Sequence, residues 1–128
     1  MKLFKSRNIE FRLDVDDNIL KVFFKNRLLG LEEASQFTGA IALVGAKKIY
    51  LDLREVESLS SDAREHLIEE LNKQLSHHGV VKIALLTSDE SNVGRFFDAI
   101  LSQIEQQNFE YKFFSDEMDA LIWLKKRY

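Results

Sequence analysis

The residues that could carry chemistry are three histidines, an acidic run at Asp14-Val15-Asp16-Asp17-Asn18, and a polar cluster, Ser60-Ser61-Asp62, followed closely by Arg64. His66 and His77 are eleven residues apart and share a helical face. At about 1.5 Å of rise per residue they stand roughly 16 Å apart, too far for one metal ion. His66 with Glu70, at i and i+4, could form half of a zinc site, but no third ligand lies at motif spacing. His77 and His78 fall in the last turn of a predicted helix, where a protonated imidazole complements the negative dipole end. The acidic run starts like a calcium loop and then departs from it. Ile19 stands sixth, where a sharp turn needs Gly, and Lys25 stands twelfth, where a bidentate Glu is required. Turn chemistry accounts for these acids.

Other machinery is absent from the pattern. The five glycines, Gly30, Gly39, Gly45, Gly79 and Gly94, are too scattered to build GxGxxG or GxxxxGK[ST], and no serine sits in GxSxG. The absence of cysteine removes disulfides, thiolate metal ligands and a cysteine nucleophile together. The expectation is a binding protein, not an enzyme, with no cofactor and no metal.

The segment that stands out runs from Leu51 to Leu67, LDLREVESLSSDAREHL, from the end of a strand through a loop into a helix. One of Ser60, Ser61 and Asp62 suffices as the N-cap, and Asp62 with Glu65 suits a capping-box-like pair. A phosphoryl group on Ser61 would meet the free amides and positive end of the helix, and would add about 1.5 to 2 negative charges to an exposed rim. Asp62 and Glu65 oppose it, because they already place acid there.

Those residues need elements to hold them. Ile9 to Val15 alternates, with Phe11, Leu13 and Val15 on one side and Glu10, Arg12 and Asp14 on the other, and Ile19 to Lys25 resumes after the turn. The pair predicts an antiparallel hairpin. Leu31, Ala34, Phe37, Ile41 and Val44 form a helical stripe ended by Gly45. Lys48 to Leu53 reads as a strand with Ile49, Leu51 and Leu53 on one face, and Arg54 to Ser60 as a loop. Ala63, Leu67, Leu71 and Leu75 mark a second helix, closed by Gly79 in a left-handed cap. Val80 to Thr87, apolar apart from Lys82, predicts a central strand covered on both faces. Val93, Phe96, Phe97, Ile100, Leu101 and Ile104 give a third helix. Glu110 to Phe114 gives a last strand, and Ser115 is placed to cap a terminal helix with Met118, Leu121, Ile122 and Leu124. The order β-β-α-β-α-β-α-β-α implies an α/β fold with a mixed sheet over residues 1–128 as one domain.

Composition narrows the partner. At 128 residues and 45% hydrophobic content the chain can bury a core unaided. Eighteen basic and twenty-one acidic residues, net charge −3, are interspersed, so nucleic acid is not the expected partner. The clusters Lys47-Lys48 and Lys125-Lys126-Arg127 lie near predicted helix ends. The longest uncharged run, Ala34 to Ala46, is broken by polar residues and predicts no transmembrane segment. Lys2, Lys5, Arg7 and Asn8 interrupt the start before any signal-like apolar stretch. A cytoplasmic location is expected.

Three segments, LDLREVESLSSDAREHL, VKIALLT and FFSDEMDALIWLKK, in that order and spacing, resemble the STAS superfamily, in particular its SpoIIAA-like and STAS/SEC14-like bacterial proteins of unknown function. The resemblance spans most of the chain, and the ending is its most specific part, with Ala120, Trp123 and Leu124 looking like the closing helix. It implies a STAS-like fold. In the family's anti-sigma-factor antagonists an Asp-Ser-Ser-Gly tetrad precedes the second helix, and a partner kinase phosphorylates its first serine. That tetrad falls on Ser60-Ser61-Asp62-Ala63, where Ser61 alone keeps its place. The implied function is a non-enzymatic regulatory module binding a protein partner, such as a kinase or a second copy, through a rim of Ser60, Ser61, Asp62 and Arg64. SEC14-like relatives imply an alternative, a small apolar ligand held between sheet and helices and lined by Phe96, Phe97 and Phe113.

Overall fold

In the computed structural model, which describes residues 1–88, 92–105 and 109–126, the elements run β1 (Lys2–Lys5), β2 (Ile9–Asp14), β3 (Ile19–Phe24), β4 (Leu28–Leu29), α1 (Leu31–Val44), β5 (Lys48–Asp52), β6 (Ser58–Leu59), α2 (Ser61–His77), β7 (Lys82–Leu86), α3 (Asn92–Leu101), β8 (Glu110–Phe114) and α4 (Glu117–Lys125). Six strands form one sheet in the order β1-β2-β3-β5-β7-β8, with β1, β2 and β3 antiparallel and β3, β5, β7 and β8 parallel. The predicted α/β fold with a mixed sheet is what the chain adopts. The parallel strands are laid down in one direction across the sheet. Right-handed crossovers must then place α1, α2 and α3 on the same face, and all three helices share one buried cluster with Ile9, Phe11, Leu20, Val22, Ile49, Leu51, Ile83 and Leu85. Only α4 is left for the reverse face, where Ala120 and Leu124 meet Ile19, Tyr50, Ala84 and Leu86.

This asymmetry explains several departures from the sequence pattern. In β5 Tyr50 is buried as fully as Ile49 and Leu51, because α4 covers the side that alternation assigns to solvent, and Asp52 is also buried, at 8% exposure. Lys82 lies buried in β7 because its ammonium reaches the carboxyl end of α4. Its Nζ donates to the carbonyls of Trp123 (3.2 Å) and Lys126 (3.3 Å) and sits 4.9 Å from the Trp123 ring, while burial lowers its pKa. A cation at a helix C-terminus is favourably placed there.

The part of the reverse face beyond α4 is charged. Glu10, expected on the solvent side of β2, is buried because Lys25 (2.9 Å) and Arg12 close over it. The Arg12 guanidinium also lies 5.3 Å from the Phe23 ring. Val15, expected to continue the apolar face, is instead exposed in the turn, which an Asp14 side chain organises by accepting from the Asp17 amide and Asn18 completes at φ 56°.

Two helix ends behave as expected, and two caps do not. Gly45 and Gly79 are both left-handed, at φ 68°. Asp116, not Ser115, caps α4 by accepting from the Asp119 amide at 3.0 Å, since the helix begins one residue later than its apolar stripe suggests. The Asp62–Glu65 capping-box pair does not form, because Ser60 is the cap of α2 and the third helical position is therefore Ala63. Lys125 lies in the last turn of α4, and Arg127 lies outside the described residues. The strands β1, β4 and β6 were not anticipated by the pattern of alternation.

Candidate functional site

The loop after β5 is held tightly before it delivers α2. The Asp52 carboxylate accepts from the Arg54 amide and takes its guanidinium in a two-pronged grip, Oδ1 to Nε at 3.1 Å and Oδ2 to Nη2 at 2.8 Å. That pairing raises the Arg54 pKa. The Leu53 amide donates to Leu86, and those of Glu57 and Ser58 both donate to the Arg27 carbonyl. β6 then pairs in parallel with β4, and the Ser60 amide donates to Leu29. The small ladder brings the starts of α1 and α2 side by side.

At the start of α2, Ser60 Oγ accepts from the Ala63 amide at 3.1 Å, which leaves Ser61 and Asp62 exposed in the first turn. Ala63, at the position of the tetrad's glycine, is fully buried. Arg64 is exposed, and its guanidinium lies 5.7 Å from the Phe96 ring, joining α2 to α3. His66 turns toward α1, where its Nε2 meets Thr38 Oγ1 at 2.8 Å. Among the described residues no three His, Asp or Glu side chains are grouped to hold a metal ion. Asn72 Nδ2 donates to the Ile100 carbonyl at 2.9 Å, a second tie between α2 and α3.

The four rim residues, Ser60, Ser61, Asp62 and Arg64, thus lie on one helical turn. They are flanked by apolar surface that the sequence reading missed: Leu28 is 51% exposed and Leu31 44% exposed. Their position beside α2 depends on the β4–β6 ladder, and two-residue strands leave no periodic signal. Beyond Arg54 a polar cleft of about 490 Å³ opens, lined by Arg27, Arg54, Glu55, Glu57, Ser88 and Asn92.

The aromatic trio is distributed differently. Phe97 is fully buried in the main core. Phe96 packs edge-on against it at 5.7 Å beneath Arg64, and Phe113 is partly buried edge-on against Tyr111 at 6.2 Å. In this packing the three rings fill space between elements.

This open mixed sheet, with three helices on one face and a fourth on the other, matches solved structures with a SpoIIAA-like fold. The chain is similar to an uncharacterised protein of the DUF3478 family with a SpoIIAA-like fold from Shewanella loihica PV-4, with 24% identity, a TM-score of 0.65, and 95% of this chain and 98% of that one covered. It is similar to a candidate anti-sigma factor antagonist from Thermotoga maritima (22% identity, TM-score 0.61, 91% and 93% covered). An anti-sigma factor antagonist from Mycobacterium paratuberculosis is also similar (16% identity, TM-score 0.59, 97% and 100% covered). By sequence, the chain belongs to the DUF7793 family, a domain of unknown function whose model matches residues 13–127. No curated protein matches it. No described helix is long and apolar enough to cross a membrane.

Proposed function

We propose that this chain is a single STAS-like regulatory module that acts without catalysis, binding a protein partner through the rim at the start of α2. The observation that carries this reading is the composition of that rim. Exposed Ser61, Asp62 and Arg64 stand beside exposed Leu28 and Leu31, on a loop pinned by the Asp52–Arg54 grip. A rigid platform with apolar anchors among polar groups suits protein recognition. Two structurally similar proteins are named as anti-sigma factor antagonists, which supports a protein as the partner. Ser61 is the phosphoacceptor in this reading, with a kinase as one partner and self-association through the same rim as a variant.

The test is affinity capture from the source cell, repeated with Ser61→Glu and Arg64→Ala and with thermal unfolding as the folding control. Both substitutions are exposed and should leave the unfolding midpoint nearly unchanged. A specific partner should fall away from both variants, by about tenfold or more in affinity if these side chains are central to the contact. Equal capture by wild type and both variants overturns the reading.

A further inference from the structure

A different surface lies at the far edge of the sheet. β1 is the edge strand of the sheet, paired among the described residues only with β2, and all four of its residues are exposed. Between it and the second half of α1 runs an apolar groove of about 520 Å³, lined by Leu3, Phe4, Phe11, Gly39, Ala40 and Leu43 among others. Leu43 is 88% exposed and Phe4 43% exposed.

Two backbone features shape this groove. The β1–β2 register slips between Lys2, opposite Arg12, and Phe4, opposite Phe11. Leu3 is the extra residue of the resulting bulge, and bulges re-aim side chains. Leu3 and Phe4 therefore both line the groove, while Lys2 and Lys5 pair with Arg12 and Glu10 on the reverse side. Gly39 sits in mid-helix, and beyond its chain neighbours and the helix's own backbone no atom of the described residues lies within 4 Å of where a Cβ would stand. Glycine weakens a helix interior by about 1 kcal/mol relative to alanine, and no packing among the described residues accounts for it. It leaves the groove floor open to close approach by another backbone.

We propose that this edge is a docking site for an extended segment of a partner protein that alternates apolar and acidic residues and adds to the sheet as a strand beside β1. Its backbone takes the open hydrogen-bonding edge, its apolar side chains enter the groove, and its acids meet Lys2 and Lys5 on the other side. Charge selects this occupant over a second copy of the chain. An antiparallel β1–β1 pair would set each Lys2 opposite a Lys5, and like charges directly opposite are destabilising. Edge lysines discourage self-pairing, and the same two favour an acidic strand. Neither lysine has an ion-pair partner among the described residues. The site is separate from the α2 rim and does not depend on it.

The probe is a short synthetic peptide alternating valine with glutamate, compared with its valine–lysine counterpart, titrated into the full chain by fluorescence anisotropy and amide NMR. The acidic peptide should bind, more weakly as salt rises, with shifts on β1 and the Gly39–Val44 half of α1, and the lysine peptide should not. Gly39→Leu fills the groove from an open helical position, so it should fold with an unfolding midpoint no lower than wild type and weaken binding about tenfold or more. Lys2→Glu with Lys5→Glu should weaken it similarly. The proposal is overturned if the acidic peptide fails to bind, or if Gly39→Leu binds it as wild type does. A free-chain dimer broken by Leu43→Glu would assign the groove to a second copy and overturn it. A co-purified apolar small molecule lost from Leu43→Glu in native mass spectrometry would overturn it too.

Discussion

The rim of α2 and the groove beside β1 are both exposed, but they differ in how much of their chemistry the chain itself uses. At the rim, Ser60 is consumed by capping Ala63, Arg64 lies against Phe96, and the preceding loop is closed by Asp52 and Arg54. What is left over is Ser61, Asp62 and the two flanking leucines. In the groove nothing among the described residues employs Leu43, Gly39 or the outer edge of β1. Polar residues at a surface usually have a local explanation in caps and turns, so their exposure says little by itself. Apolar side chains grouped around an unexplained glycine have none, and they locate a surface more strongly.

The largest test of this contrast separates aromatic residues that hold the fold from those available to a partner. Phe97, fully buried between α3 and the main core, should cost about 3–5 kcal/mol when changed to alanine. Phe4→Ala at the groove, where the ring is 43% exposed and lies 6.1 Å from the Phe11 ring, should cost about 1 kcal/mol. Urea unfolding measures both. Comparable losses would mean that Phe4 belongs to the core and that the groove is part of the folding unit.

A smaller effect tests the rim. Ser60→Ala removes the oxygen that accepts the Ala63 amide and should lower stability by about 1 kcal/mol. Ser61→Ala, at an exposed side chain with no hydrogen bond among the described residues, should stay within about 0.5 kcal/mol of wild type. If Ser61 proves the costlier loss, the cap has been assigned to the wrong serine and Ser61 is not free for a partner.

The rim was legible in the sequence because capping residues, a strand end and an apolar helical stripe are local patterns with fixed spacing. The same logic located the four helices and the five long parallel or hairpin strands, β2, β3, β5, β7 and β8. What was not legible arises from pairing at a distance. β4 and β6 have two residues each, too few for a period, yet their ladder brings Leu28 to Ser58 beside the rim. β1 carries a bulge that breaks alternation, so KLFK reads as an irregular start. Leu43 looks like an ordinary exposed residue on an amphipathic helix until β1 comes to lie beside it. Glu10 reads as solvent-facing and Lys82 as the exception in an apolar strand, because only the tertiary structure brings Lys25 to one and the end of α4 to the other. The aromatic trio was grouped by the resemblance to SEC14-like relatives, and Phe97 is buried in the core.

An effect of the same small size concerns the charged side of the same edge. Glu10 is held at a pKa of about 2 by the Lys25 ammonium and then the Arg12 guanidinium, against burial, which pushes the other way. Its ordinary value is 4.5. The folded state therefore binds the proton less readily than the unfolded chain, so this contribution is complete above pH 4.5 and is lost as pH falls from 4.5 toward 2. Because Arg12 and Lys25 are both well exposed to solvent, screening limits it to about 1 kcal/mol. Glu10→Gln should lower stability by that amount at neutral pH and flatten the fall between pH 4.5 and 2 in urea titrations. Lys5 stands directly opposite Glu10 in the β1–β2 register yet forms no ion pair with it among the described residues. Lys5→Ala should therefore leave the acid limb unchanged. If it flattens the limb as Glu10→Gln does, Lys5 is already committed to Glu10, and the edge loses half of the charge that selects an acidic strand.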